Sequence, residues 1–265
     1  MGPGDRGPQV SHLHHYLQKC GQLPPGPLLD EPVFDARTEQ AIKAFQRLYG
    51  LDQNGRLDSD TLALMRTPRC GIPDIPGLSL VPRADPICGW PQRKLQYYIA
   101  QTLSQIGHVA HEKALLYCLR QASDATGITF TPGPQGSHIK SFTYPGDGAG
   151  GEHGRAYTPC AWSKAGEMYF DEYDVWSVLT PTPSDRLDFV SACLHELGHA
   201  LGLGHSSDPS AVMYPLLQFG DQRREWQADD LDGLRYLYPP RTGITGVDAL
   251  ADDARGEIRP MEEIR

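Results

Sequence analysis

Val10, Leu13 and Leu17 recur at helical spacing, as do Ile42, Phe45 and Tyr49, and Leu62, Leu64 and Met65 close a third, shorter helix. Residues 8–67 are therefore expected to form a three-helix unit. Asp35 and Asp58 precede the second and third patterns as N-caps, and Gly50 and Gly55 punctuate the loop between. His12, His14 and His15 fall on the polar side of the first helix and read as a solvated face. Residues 75–89 are rich in Pro and Gly and lack pattern, as an exposed hinge would. A second domain opens at Trp90. Leu95, Tyr97 and Ile99 alternate as a strand should, a helix follows from about His108 to Ala125, and Ile128 with Phe130, Ile139, and Met168 with Phe170 predict further strands. His108 and His111 on that helix are expected to face solvent or to pack. Another helix is expected from Ser184 or Asp185, with Leu187, Val190, Leu194, Leu197 and Leu201 on one face, and a last one over Gln227 to Tyr238. Residues 240–265 are charged and without periodicity, so a disordered tail is expected there. The fold class is α+β.

Composition narrows the partners. A chain of 265 residues with 39% hydrophobic content can build two cores. Its net charge of −9 argues against nucleic acid or an anionic membrane as the main partner. No run of about 18 apolar residues occurs, so no transmembrane segment is expected.

The chemistry concentrates in His195-Glu196-Leu197-Gly198-His199, with Gly202, His205 and Met213 downstream. On a helix His195 and His199 lie one turn apart on one face, roughly 6 Å from each other, so one metal ion can sit between them. His205 would be about 9 Å further along an unbroken helix, out of reach of a zinc ligand shell of about 2.1 Å. The helix must stop, and Gly202 can stop it because glycine enters left-handed conformations without a Cβ clash. Three neutral imidazoles leave one zinc position for water, whose pKa falls to about 7 when bound. Glu196 is placed to accept that water's proton and pass it to a leaving nitrogen.

His195 to His205 with Met213 resembles the metzincin zinc endopeptidases, and Ser206 with Val212-Met213-Tyr214-Pro215 resembles the matrix metalloproteinases, or matrixins, in particular. That resemblance implies a catalytic domain with a twisted, mostly parallel sheet and three helices. It implies a tight turn at Met213 beneath the zinc, and a substrate pocket lined by Pro215 and Leu217, expected to be apolar, with residues 218–226 shaping its floor. Thr38-Glu39-Gln40-Ala41-Ile42-Lys43-Ala44-Phe45-Gln46 is similar to peptidoglycan-binding-like modules, which also form matrixin prodomains. Pro68-Arg69-Cys70-Gly71-Ile72-Pro73-Asp74 resembles the matrixin cysteine switch. A thiolate at about 2.3 Å is a strong fourth zinc ligand, so Cys70 can hold the enzyme latent until the segment is cut or the thiol modified. Arg69 and Asp74 would form an ion pair that holds the loop.

The division expected is 1–67 prodomain, 68–89 switch segment and activation hinge, 90–239 catalytic domain and 240–265 tail, with no propeller-like C-terminal (hemopexin) domain. The hinge has no dibasic run, and Arg83 suits a trypsin-like activating protease. Asp171 and Asp174 match positions that help bind calcium in matrixins. Arg155 and Tyr169 stand where the family places two ligands of a second, structural zinc, so no such zinc is expected. Proteins or peptides are the expected substrates and a monomer the expected state. The location is extracellular by resemblance, although residues 1–8 show no signal-peptide core. With Cys70 assigned to the metal, five cysteines remain, and Cys88 can bridge to Cys118 or Cys160. Cys193 reads as a small buried apolar residue. The rival reading is a non-catalytic glycan- or protein-binding protein whose zinc site Cys70 closes permanently.

Overall fold

A computed structural model describes residues 1–24, 32–74 and 87–240. Most of the expected hinge, including Arg83 where an activating cut is expected, and nearly all of the expected tail lie outside the described residues. The N-terminal unit is three helices, α1 (Pro8–Lys19), α2 (Ala36–Leu48) and α3 (Ser59–Met65). Asp35 and Asp58 cap α2 and α3 by accepting from the backbone N–H of Thr38 and Thr61. Val10, Leu13, Leu17, Ile42 and Phe45 form one buried cluster with Phe34.

The second unit is built on a six-stranded sheet. Its strands are β1 (Arg69–Cys70), β2 (Lys94–Ile99), β3 (Thr129–Pro132), β4 (Ile139–Tyr144), β5 (Glu152–Ala156) and β6 (Glu167–Asp171), in the order β1-β5-β6-β4-β2-β3. Every pairing is parallel except β5 with β6. A small parallel pair, β7 (Trp176–Ser177) with β8 (Leu187–Asp188), stands apart. Three helices complete this unit, α4 (His108–Thr126), α5 (Phe189–Leu201) and α6 (Ala228–Leu237). The α+β architecture with a mostly parallel sheet is as the sequence led us to expect. No helix among the described residues is long and apolar enough to cross a membrane.

Two local expectations are corrected. Helix α5 begins at Phe189, not at Ser184 or Asp185, because Leu187 and Asp188 are drawn into β8 beside Trp176 and Ser177. Asp188 then serves as the cap, accepting from the Ser191 backbone N–H at 3.0 Å. Strand β5 gave no hydrophobic signal, since Glu152, His153 and Arg155 are polar. Four of its five residues are nevertheless buried: Ala156 joins the main core, Glu152 pairs with Lys19 and Arg155, and His153 faces the cavity beside His195.

Candidate metal centre

Helix α5 is buried along its whole length, and apolar packing fixes its rotation: Val190, Leu194, Leu197 and Leu201 are all part of the main core. The carbonyls at its C-terminal end lack intrahelical partners and are met from outside, Ala200 O by the Trp90 indole N–H at 2.9 Å and Leu201 O by the Tyr238 hydroxyl at 2.6 Å. The helix ends at Gly202, whose φ of 107° is a left-handed conformation, and a Cβ there would lie 1.9 Å from the Cys88 carbonyl oxygen. The chain turns back at that point and brings His205 beside the two helical histidines.

The ring centroids of His195, His199 and His205 lie 4.8–5.3 Å apart. Cys70 joins them, and one donor atom from each of the four falls within 4.8 Å of the others. Among the described residues no other group of three or more His, Cys, Asp or Glu side chains converges in this way. His195 Nδ1 donates to Val212 O at 2.7 Å and His199 Nδ1 to Leu203 O at 2.8 Å. Those bonds fix the tautomer and leave the Nε2 lone pairs facing the centre. Cys70 Sγ is 3.5 Å from His199 Nε2, and two ligands of one tetrahedral zinc at about 2.1 and 2.3 Å stand about 3.6 Å apart. His205 Nδ1 is 3.2 Å from Asp74 Oδ1, an ion-pair distance rather than an aligned hydrogen bond.

Burial drives every group here toward its neutral form. His195 and His199 are held well below the usual imidazole range by desolvation and by the adjacent rings. Burial pushes the Cys70 thiol up, reinforced by Glu196, and pushes the Glu196 carboxyl up. A divalent cation at the centre inverts that logic for the thiol. Neither Glu196 oxygen has a hydrogen-bond partner, although the residue is fully buried. Unpaired buried acceptors and unpaired Nε2 atoms around one point fit a zinc site and not a packed core.

The segment carrying Cys70 lies between two backbone edges. Arg69 N donates to Gly151 O at 3.0 Å and Gly71 N to Gly154 O at 2.8 Å on the β5 side. Opposite, Cys70 N donates to Pro215 O at 2.9 Å and Leu217 N to Pro68 O at 2.9 Å. The cleft therefore binds an extended strand by main-chain bonds on both sides. Arg69 and Asp74 pair at 2.5 Å, almost wholly buried. Arg69 also donates to Cys70 O at 2.9 Å and to Cys20 Sγ at 2.8 Å, and Asp74 accepts from Gln22 and Tyr49. Desolvation alone would raise the Asp74 carboxyl, but Arg69 and His205 outweigh it and hold it well below the usual range.

Met213 lies under the histidines, and its sulfur would be 2.3 Å from a Cβ at Gly198, so a glycine in mid-helix is what admits it. A residue that the pattern did not single out holds this turn: Asp230 accepts from Val212 N at 2.9 Å and from Met213 N at 3.0 Å. Its only sequence signal is an acidic residue in the first turn of α6. Pro215 and Leu217 line the cleft through the bonds just described. A small cavity beside His195 is walled by Val212, Tyr214 and Leu217, yet Arg223, His153 and Ser191 also face it. The apolar pocket expected there is thus partly polar, because β5 and the loop before α6 supply side chains that the Tyr214–Leu217 stretch does not reveal.

Asp171 and Asp174 are fully buried. Asp171 accepts from Gly146 N and Tyr173 N, Asp174 accepts from Gly150 N at 2.7 Å, and each leaves its Oδ2 unpaired. Arg155 and Tyr169 face each other across the antiparallel β5/β6 pair. Arg155 lies over the Tyr144 ring at 4.9 Å and pairs with Glu152, while Tyr169 stacks on Phe142 at 5.1 Å. An aromatic cluster capped by a guanidinium occupies those positions. His138 accepts from Gln96 N through Nδ1. Cys88 bonds to Cys160, while Cys118 is buried against Val190 in the core.

A helix that presents two histidines, a glycine bend that returns a third and an acid between them define a zinc metallopeptidase site. Comparison with known proteins agrees. Residues 89–239 match the Matrixin family of peptidases and residues 6–65 a peptidoglycan binding domain family. Human matrilysin is 32% identical over 228 residues, covering 79% of this chain and 82% of that protein. Human matrix metalloproteinase-25 is 33% identical over 90% of this chain, which spans 47% of that protein's length. Human matrix metalloproteinase-16 is 30% identical over 88% of this chain and 42% of its own length. The chain belongs to the matrixin family, whose catalysis is zinc-dependent.

Proposed function

We propose that this chain is a zinc-dependent endopeptidase in latent form, which hydrolyses internal peptide bonds of proteins once Cys70 is displaced. One observation carries the reading: three imidazoles and a thiol from segments far apart in sequence converge within 4.8 Å in a buried cleft. Zinc held by His195, His199 and His205 supplies Lewis acidity toward the scissile carbonyl. The rest is the work of this chain's residues. Glu196 takes a proton from the attacking water and returns it to the leaving nitrogen. The β5 edge and Pro215 with Leu217 bind the substrate strand by main-chain bonds, as they bind residues 68–71 now. Met213 and Gly202 keep the three imidazoles in register. Cys70 would complete the metal's ligand set in the latent form and, with the strand it sits on, excludes substrate.

The same reading divides the chain into a prodomain (1–67), a switch segment and hinge (68–89), a catalytic domain (90–239) and a tail (240–265). An activating protease cutting the hinge would release the strand. Calcium at Asp171 and Asp174 is favoured by their two unpaired buried oxygens, which are hard ligands of the kind that cation takes. A structural zinc is disfavoured, since Arg155 and Tyr169 offer no ordinary zinc ligand. An extracellular enzyme fits the Cys88–Cys160 disulfide, which persists in oxidising compartments.

The test is to block the Cys70 thiol of the full chain with an organomercurial and follow cleavage of a denatured protein substrate. Hydrolysis and self-shortening are expected, and the Glu196→Ala variant should lose hydrolysis while zinc stays bound. Turnover retained in that variant would defeat the mechanism. A modified chain that neither cleaves nor shortens itself would favour the non-catalytic binding protein.

A further inference from the structure

Glu152 opens β5, the edge along which the switch strand is bound, and its backbone is in register with Arg69 while Gly154 is in register with Cys70. Its carboxyl group reaches beneath that strand. A Cβ built on Gly71 would lie 2.1 Å from Glu152 Cδ and 2.3 and 2.4 Å from its two oxygens. The side-chain space at this level of the strand, one residue from the cysteine that faces the metal centre, is therefore filled by a carboxylate. Glycine at position 71 is what lets the strand lie over it.

The two oxygens of Glu152 are met from different parts of the molecule. Oε1 accepts from the Tyr144 hydroxyl at 2.9 Å and lies 2.5 Å from Arg155 Nε, both on the sheet that carries Glu152 itself. Oε2 lies 2.9 Å from Lys19 Nζ, at the last residue of α1 in the N-terminal unit. Lys19 also donates to Asp147 Oδ2 at 3.2 Å, and Asp147 is tied to the same edge by accepting from Glu152 N at 2.8 Å. A basic side chain is thus seated on Glu152 in the latent form, beside the strand that fills the cleft. Glu152 is only 3% exposed there, and two of the groups packed on it, Lys19 and Gly71, belong to the segments that activation removes. Their departure leaves Oε2 without its partner while Arg155 and Tyr144 still hold Oε1. An ionised acceptor stripped of its partner in a half-enclosed site is costly, and a new cation restores the pair.

We propose that Glu152 is a specificity-determining residue of the active enzyme: it takes a lysine or arginine side chain of the substrate in the place that Lys19 holds in the latent form. The inference rests on the endopeptidase reading and on loss of the N-terminal unit at activation. Because Gly71 is next to the metal-facing residue of the bound strand, the basic side chain belongs to a substrate residue within two positions of the scissile bond. The Glu152 carboxyl is the end of a flexible side chain, so it can turn aside from an entering Cβ and still accept from the charged head beyond it. Lys19 is then more than a tether, since it fills a substrate subsite with the group that subsite selects.

The experiment activates the full chain by thiol modification and confirms by mass that residue 19 has been lost. Otherwise identical peptides carry Lys, norleucine or Glu at each of the two positions on either side of the scissile bond, and every cut is located by mass. An ion pair screened as a partly exposed one is worth about 1 kcal/mol, so at one of these positions kcat/KM for Lys should exceed that for norleucine at least about fivefold, with Glu lowest. Glu152→Gln should bring the ratio of Lys to norleucine to about one and Glu152→Asp should retain part of it, each variant being checked for zinc content and melting temperature. Raising the ionic strength from about 0.01 M to about 1 M shortens the screening length from about 30 Å to about 3 Å and should shrink the wild-type ratio, a readout that needs no variant. A ratio below fivefold at all four positions, one that survives Glu152→Gln in a folded variant, or one that salt leaves unchanged overturns the proposal. Cleavage without a preference for Lys defeats only this inference, whereas cleavage of none of the peptides defeats the endopeptidase reading as well.

Discussion

Removing the Asp74 carboxylate should open the latent form. In the closed state Asp74 and Arg69 are buried together at 2.5 Å, and Arg69 in turn donates to the carbonyl of Cys70, so the pair shapes the loop that presents the thiol. Deleting one partner of a buried ion pair costs about 3–5 kcal/mol, because the other charge stays desolvated. In an open state the same pair would be solvated and worth about 0–1 kcal/mol. The difference that falls on the closed-to-open equilibrium is therefore roughly 2–5 kcal/mol, which raises the open population roughly 30- to 5000-fold. The assay is alkylation of the full-length Asp74→Ala protein at neutral pH, with each cysteine's labelling resolved by peptide mass. Cys70 should label faster by that factor, while Cys118 and Cys193, buried in the catalytic core, report any global unfolding. Cys20 should follow Cys70 in part, since its sulfur accepts from Arg69. If Cys70 labels no faster than in the unaltered protein while the core thiols stay protected, the ion pair does not hold the switch.

Other expectations can be checked separately. His111 is fully buried, with Nδ1 accepting from Leu103 N, and burial followed by the His108 charge brings its pKa down to about 4. The unfolded chain takes up that proton near pH 6.5, so stability present at neutral pH is lost as pH falls from about 6.5 to about 4, on the order of 3 kcal/mol. His111→Asn should flatten the fall in melting temperature over that interval, and an unchanged slope would count against it. Asp230→Ala leaves the buried N–H groups of Val212 and Met213 unpaired, at about 1–3 kcal/mol each, and should lower both melting temperature and zinc retention during dialysis. Calcium at a hundred times its dissociation constant should stabilise the protein by about 2.7 kcal/mol, and Asp174→Asn should abolish that melting shift. A shift that survives in the variant would place calcium elsewhere.

Sequence pattern alone made much of this molecule legible. The helical spacing of Val10, Leu13 and Leu17 and the caps at Asp35 and Asp58 marked the N-terminal helices, because those signals are local and repeat with the helix period. The histidine spacing with Gly202 also carried its geometry, since two ligands one turn apart and a third beyond a glycine admit few arrangements. Strand β5 stayed hidden because burial there follows from Glu152 meeting Lys19 and Arg155 and from His153 meeting the cleft, contacts that no two-residue alternation encodes. The onset of α5 was misplaced for a related reason. Ser184 and Asp185 are as good caps as Asp188, and only the pairing of Leu187 with Trp176 chooses between them.

By itself the sequence determined which residues can bind a metal, where the N-terminal helices are capped and where the catalytic helix must stop, and that a cysteine precedes the catalytic half. Those are properties of short stretches, fixed by backbone geometry and side-chain chemistry. Only the tertiary structure decided what meets across distance. It brought Cys70 to 3.5 Å from His199, paired Cys88 with Cys160 and not with the core-packed Cys118, and seated Arg223 and His153 in the cavity beside His195. Such meetings depend on how a sheet edge, a helix and two loops pack, and that packing is a sum over the whole core which no local pattern contains.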